Sequence, residues 1–72
     1  MPYINVRVTA GITTEQKEKI IAGVTDLMVT VLNKDPEKTF VVIDEVEADN
    51  WGVAGVTTTV YRQRKKAAAN AK

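Results

Sequence analysis

The sequence contains neither cysteine nor histidine. A disulfide framework is excluded, and so are the zinc sites that those side chains build. Aromatic residues are scarce: one Trp, one Phe and two Tyr make up 6% of the chain. No apolar run approaches the roughly 18 residues of a transmembrane helix. The start, Met-Pro-Tyr-Ile-Asn-Val, lacks the basic region and apolar stretch of a signal peptide. No membrane partner is expected, and the cytoplasm is the expected location. An excess of one charge is missing too, since ten Lys+Arg against nine Asp+Glu leave a formal net charge of +1. That balance does not supply the broad positive field of a dedicated nucleic-acid binder. Nor is there a Gly-rich phosphate loop, a nucleophile elbow or a metal-ligand cluster. No cofactor and no metal are expected.

What remains is a chain of 72 residues, 44% of them hydrophobic. This is enough for one globular domain and too little for a self-sufficient core, because so short a chain buries only about 60% of its unfolded surface. Without staples, association is the remaining remedy. The charges are unevenly placed. Residues 35–49 carry Asp35, Glu37, Lys38, Asp44, Glu45, Glu47 and Asp49, whereas residues 62–66 read Arg-Gln-Arg-Lys-Lys.

Residues 3–9 alternate, with Ile4, Val6 and Val8 on one face and Tyr3, Asn5, Arg7 and Thr9 on the other, which predicts a strand. Thr13 and Gln16 have capping-box spacing, and Glu15 adds negative charge to the first turn. Ile20, Val24, Leu27, Met28, Val31 and Leu32 then recur at helical spacing, with Ile21 widening the stripe. A helix is predicted from Thr14 to Leu32 or Asn33, stopped before Pro36. Thr39–Val46 reads as a second strand, whose four consecutive apolar residues predict cover on both faces. Strand, helix and strand at this spacing predict a parallel β-α-β unit. Trp51–Gly55 predicts a bend or short exposed hairpin, and Val56–Tyr61 a third short strand. From Lys65 onward the Ala-rich tail either extends as helix or frays. One helix covers one face of such a sheet, so the other face calls for an equivalent surface from another chain. The expected fold class is α/β (α+β in some schemes): a two-layer, oligomeric β-α-β unit with a short C-terminal hairpin or strand. Residues 1–62 form the expected domain and residues 63–72 a basic, Ala-rich tail.

Pro2 directly follows the initiator Met, and a small second residue permits removal of that Met. An exposed α-amine has a reference pKa near about 7.7–8.0. Proline's secondary amine is more basic, and an apolar pocket lowers it toward neutrality. Such an amine either shuttles protons as a general base or attacks a carbonyl. Read without further context, Pro2 is an unstrained start to the first strand.

Pro2-Tyr3-Ile4-Asn5-Val6, Gly11, Glu15-Gln16-Lys17, Ile43-Asp44-Glu45-Val46 and Asn50-Trp51-Gly52-Val53-Ala54-Gly55 together resemble the 4-oxalocrotonate tautomerase family over about residues 2–62. The resemblance implies β-α-β subunits assembled as a homohexamer (a trimer of dimers). It implies an isomerase, in which an N-terminal proline is the base in keto–enol isomerisation of unsaturated 2-oxo acids, as in the degradation of aromatic compounds. Pro2 matches the catalytic proline. Trp51 matches an aromatic pocket position, and Arg62 falls near a C-terminal arginine at the mouth of the site. Ile12 and Phe40 stand where well-studied members carry the two arginines that bind the substrate carboxylate and polarise the 2-oxo group. Their loss removes charged hydrogen bonds worth roughly 1.5–3 kcal/mol each. Arg7 and Lys38 are the nearby cations able to compensate, with Arg7 alternatively paired to Asp44 or Glu45.

The expected function is therefore cofactor-independent tautomerisation of a small anionic carbonyl or enol substrate. Pro2 is the catalytic residue, and Trp51, Phe40, Ile12, Arg7, Arg62 and Lys38 form the pocket. The competing readings are a non-enzymatic oligomer with a decayed or blocked site and a hydratase or dehalogenase relative. Arg62, Arg64, Lys65 and Lys66 offer a small basic patch, and nucleic acid is not the expected partner.

Overall fold

The computed structural model of the protein describes residues 1–70. Residues 71 and 72, the end of the expected tail, lie outside the described residues. Strand β1 (Tyr3–Thr9) leads through helix α1 (Thr14–Leu32) to strand β2 (Phe40–Val46), and the two strands pair in parallel. The register sets Tyr3 against Phe40, Asn5 against Val42 and Arg7 against Asp44. Partners in register share a face, so these six residues occupy one side of the sheet. Ile4, Val6, Val8, Val41 and Ile43 occupy the other and are half-buried.

The boundaries of α1 have local causes. The Thr13 amide donates to Gln16 Oε1 at 2.8 Å, and the Gln16 amide donates to Thr13 Oγ1 at 3.1 Å, completing the capping box. At the other end Asn33 adopts φ 55°, and its amide donates to the Val29 carbonyl at 3.0 Å. The Lys34 amide reaches the Met28 carbonyl at 3.3 Å, closing the helix with a left-handed cap. Asp35 then caps a 3-10 turn over Pro36–Lys38. Along α1, Lys17, Ile20, Val24 and Met28 are half-buried, whereas Leu27 and Val31 of the same predicted stripe are 52% and 65% exposed.

After β2 a second 3-10 turn (Ala48–Asn50) leads to an antiparallel hairpin of β3 (Gly52–Val53) and β4 (Val56–Thr57). Its two-residue turn puts Ala54 at φ 53° and Gly55 at φ 80°, the primed geometry that matches strand twist. The short-hairpin expectation for Trp51–Gly55 is met. The third strand predicted over Val56–Tyr61 is not: the strand stops at Thr57, and α2 runs from Thr58 to Asn70. Thr57 supplies the reason, because its Oγ1 accepts the Val60 amide at 3.2 Å in the manner of a helix N-cap. That side-chain hydrogen bond outweighs the β propensity of the Val and Thr residues.

The molecule measures 51 × 22 × 22 Å. Among the described residues no hydrophobic side chain is fully buried, and Thr58, 8% exposed, is the one buried residue. Among the described residues the predicted cover on both faces of β2 is not found, because α1 packs on one face only and Phe40 and Val42 on the other are 49% and 42% exposed. No helix among the described residues is long and apolar enough to cross a membrane.

Candidate active site

The parallel ladder has two ends, and the residues singled out from the sequence divide between them. At one end stands Pro2, half-buried, its carbonyl accepting the Phe40 amide at 3.0 Å. Met1 precedes it and is 82% exposed. In the encoded chain the Pro2 nitrogen is thus an amide, and the residue that blocks it contributes almost no packing. Phe40 flanks Pro2 across the ladder, and the exposed Lys38 closes the 3-10 turn two residues earlier.

At the other end an open hollow of about 350 Å³ is lined by Arg7, Val46, Asn50, Trp51 and Gly52. Trp51 is half-buried and is fixed through its backbone. Its carbonyl accepts both the Thr58 amide and Thr58 Oγ1, each at 2.7 Å, so the first residue of α2 holds the segment that carries the indole. Arg7 projects from the open face of β1 and makes an ion pair with Asp44, Nε to Oδ2 at 3.1 Å. Of the two arrangements open to Arg7 in the sequence, the pairing with Asp44 is the one formed. Arg62 reaches back from α2, with Nη2 donating to Thr9 Oγ1 at 3.2 Å at the end of β1.

Ile12 lies half-buried in the loop between β1 and α1. That loop is tied down by Glu45, which accepts the Gly11 amide at 3.3 Å and the Lys17 ammonium at 2.8 Å. The Lys17 hydrogen bond holds the Glu45 carboxyl below its usual range against the opposing effect of desolvation, with a smaller contribution from the Gly11 amide. Gly11 has φ 117°, a backbone conformation that side-chain-bearing residues rarely adopt.

The structure therefore brings Arg7 and Trp51 together and sets Arg62 and Ile12 at the same end of the ladder. It does not bring Pro2 to them within one chain. Five residues of extended strand at about 3.3 Å each separate Pro2 from Arg7 by roughly 16 Å. Val46, Asn50, Gly52 and Thr9 had not been singled out. For Thr9 the signal was present, since it shares the polar parity of Arg7 on β1. For Val46 and Asn50 no pattern in the sequence marks the hollow, because its wall forms only when the turn after β2 folds back.

The Tautomerase family model, described as "Tautomerase enzyme", matches residues 2–61. A probable tautomerase of Dickeya dadantii is 54% identical over 65 residues, covering 89% of this chain and 97% of that protein. The crystal structure of DmpI from Helicobacter pylori superposes with a TM-score of 0.80 at 45% identity, covering 86% of this chain and 97% of that one. A 4-oxalocrotonate tautomerase isozyme from Methylibium petroleiphilum gives a TM-score of 0.80 at 32% identity, with 83% and 97% covered. A β-α-β unit followed by a short hairpin, matched along nearly the whole length of these relatives, leads to one conclusion: the chain belongs to the tautomerase family of isomerising enzymes.

Proposed function

We propose that the chain is a cofactor-independent keto–enol tautomerase of small unsaturated 2-oxo acids, with the Pro2 nitrogen as general base after removal of Met1. The observation that carries this reading is the setting of Pro2. It stands half-buried at the head of β1, its carbonyl pinned by Phe40, with only an exposed methionine ahead of it. Removal of Met1 turns an inert amide into a secondary amine without disturbing the fold. An apolar pocket closed around the amine by another copy disfavours the ammonium form and keeps the lone pair available near neutrality.

In the reaction the amine takes the proton of a 2-hydroxyl group. The oxygen's electrons form the C=O bond, the diene's electrons shift along the chain, and the protonated amine delivers its proton to a distal carbon. One O–H bond is exchanged for one C–H bond, and no electrons leave the substrate. The carboxylate and the developing enolate need a cation, which Ile12 and Phe40 cannot provide. Arg7, Lys38 and Arg62 are the candidates. The name of the Methylibium relative supports this substrate class.

The assembly follows from the bare surfaces. Tyr3, Phe40 and Val42 on the open sheet face are 64%, 49% and 42% exposed, and among the described residues no element packs across them. Burying such a face against further copies supplies the missing core, and it gives the separated Pro2 and Trp51 ends the means to meet between subunits. We read the assembly as a homohexamer, a trimer of dimers. Residues 1–62 form its working unit and residues 63–72 an appended tail. The same reading places the enzyme in the cytoplasm, in the degradation of aromatic compounds.

Intact mass and a rate test the proposal together. The mature protein is expected to lack one methionine, and Pro2→Ala is expected to slow ketonisation of a 2-hydroxydienoate by about 10²–10⁴-fold. A retained Met1, or equal rates for the two proteins, overturns the mechanism.

A further inference from the structure

We infer that Arg7, oriented by Asp44 and set beside Trp51, forms the anion-binding subsite of this enzyme and takes the carboxylate end of a planar unsaturated acid. The inference deepens the proposed reading and rests on it for the substrate class, because three cations were open there and the geometry separates them.

Lys38 is exposed beyond the start of β2 and does not line the hollow. Arg62 has one terminal nitrogen engaged by Thr9, and it does not line the hollow. Arg7 does line it, and Asp44 engages its Nε alone. Among the described residues neither Nη atom of Arg7 makes a hydrogen bond. The two Nη groups form a planar fork suited to the two oxygens of a carboxylate, and a point-charge ammonium lacks that match. Asp44 fixes the guanidinium from its Nε side, so less side-chain freedom is lost when the anion arrives.

The remaining walls fit the rest of such a ligand. Trp51 and Val46 offer apolar surface, and Asn50 adds an amide in the same hollow. A volume of about 350 Å³ lies at the lower end of the range for small-molecule sites. An indole beside a guanidinium suits a flat conjugated chain ending in a carboxylate. It suits a compact, strongly hydrated anion poorly. Because Pro2 of the same chain is roughly 16 Å away along β1, the subsite serves the Pro2 of another copy.

Trp51 is the only tryptophan in the sequence, so intrinsic fluorescence reports on the hollow directly. The probe is sorbate, a conjugated six-carbon monocarboxylate, compared with its neutral amide. Sorbate is expected to quench the full-length protein saturably and the amide at least tenfold less effectively. Arg7→Gln is expected to weaken sorbate binding by about tenfold or more, the loss of a charge-assisted hydrogen-bond pair. Asp44→Asn, which leaves the guanidinium in place, is expected to weaken it less, and Arg62→Gln to leave it within about twofold. Equal quenching by acid and amide overturns the proposal, because adsorption to the indole then explains the signal. So do unchanged binding in Arg7→Gln, equal losses in Arg7→Gln and Asp44→Asn, and a larger loss in Arg62→Gln. Should Arg7→Gln fail to fold, Arg7→Lys and the acid–amide comparison on the unsubstituted protein decide the matter. Pro2→Ala separates this inference from the proline mechanism: it should bind sorbate normally while its turnover of a 2-hydroxydienoate falls by about 10²–10⁴-fold. Arg7-dependent binding with undiminished turnover in Pro2→Ala removes the proline mechanism and keeps the subsite. Proline-dependent turnover with Arg7-independent binding does the reverse.

Discussion

The two faces of the β1–β2 sheet are built from the same two seven-residue strands and have opposite fates. On the face under α1, Ile4, Val6, Val8, Val41 and Ile43 are all half-buried. On the other, Tyr3, Phe40 and Val42 stand open beside the Arg7–Asp44 pair. The covered face holds one helix to one sheet, and the hairpin and α2 pack a second small cluster around Thr58. The open face keeps apolar surface and charge side by side, the surface on which the proposed assembly and anion subsite depend. Strand parity thus separates a covered face from an open one within each strand, one residue apart.

Val41 and Val42 put this division to its sharpest test, being the same side chain on adjacent, opposite-facing positions. Val41→Asp sets a carboxylate between sheet and helix and should cost about 2–3 kcal/mol in a way that protein concentration does not change. Val42→Asp should leave the β-α-β unit its internal contacts and disperse the assembly. Its signature is a smaller particle in sedimentation and an unfolding midpoint that no longer rises with protein concentration as that of the assembled protein does. If the two variants behave alike, the faces are not separate in function, and the open one is not an interface.

Much of this was legible in the sequence, for physical reasons that differ by element. The alternation in residues 3–9 and the Thr13–Gln16 spacing are local signals, and the structure obeys both. The left-handed Asn33 and the Pro36 turn likewise end α1 where local chemistry ends it. The stretch from Val56 misled because a run of Val and Thr has two uses. Its β-branched side chains favour a strand, while one hydroxyl, that of Thr57, caps a helix and decides the outcome. The site was legible only as single residues. Pro2, Trp51 and Arg7 each stood out, but the distance along β1 that divides them depends on the register and on the fold of the turn after β2. No spacing in the sequence carries either.

A smaller effect tests how the hairpin end keeps its indole in place. Thr58 is the one buried polar residue among the described residues, and its hydroxyl and amide both donate to the Trp51 carbonyl. Thr58→Val keeps the shape and removes one of the two hydrogen bonds, a loss of about 1 kcal/mol. It should broaden the environment of Trp51, read as a red-shifted emission, and leave the sedimentation of the protein unchanged. An unshifted spectrum would mean that the Thr58 amide alone fixes the segment.

The smallest effect sets Glu45 against its neighbour Asp44. Asp44 pairs with Arg7 on the open face, whereas Glu45 turns to the α1 side, where Lys17 and the Gly11 amide hold its carboxyl below the usual range. A carboxyl whose pKa is lower folded than unfolded stabilises the protein fully above its unfolded pKa. That contribution is lost as the pH falls through the folded value. Stability should therefore decline as the pH drops into and below the ordinary carboxylate range, and Glu45→Gln should flatten that acid limb while changing little near neutrality. What weakens first is the tie on the Gly11–Ile12 loop, so the protection of the Gly11 amide from hydrogen exchange, relative to its intrinsic rate at each pH, should fall on acidification in the unsubstituted protein. In Glu45→Gln it should be low at every pH. If acidification leaves the Gly11 amide protected, backbone geometry alone holds the loop, and the Glu45–Lys17 pair is a surface contact of no consequence to the site.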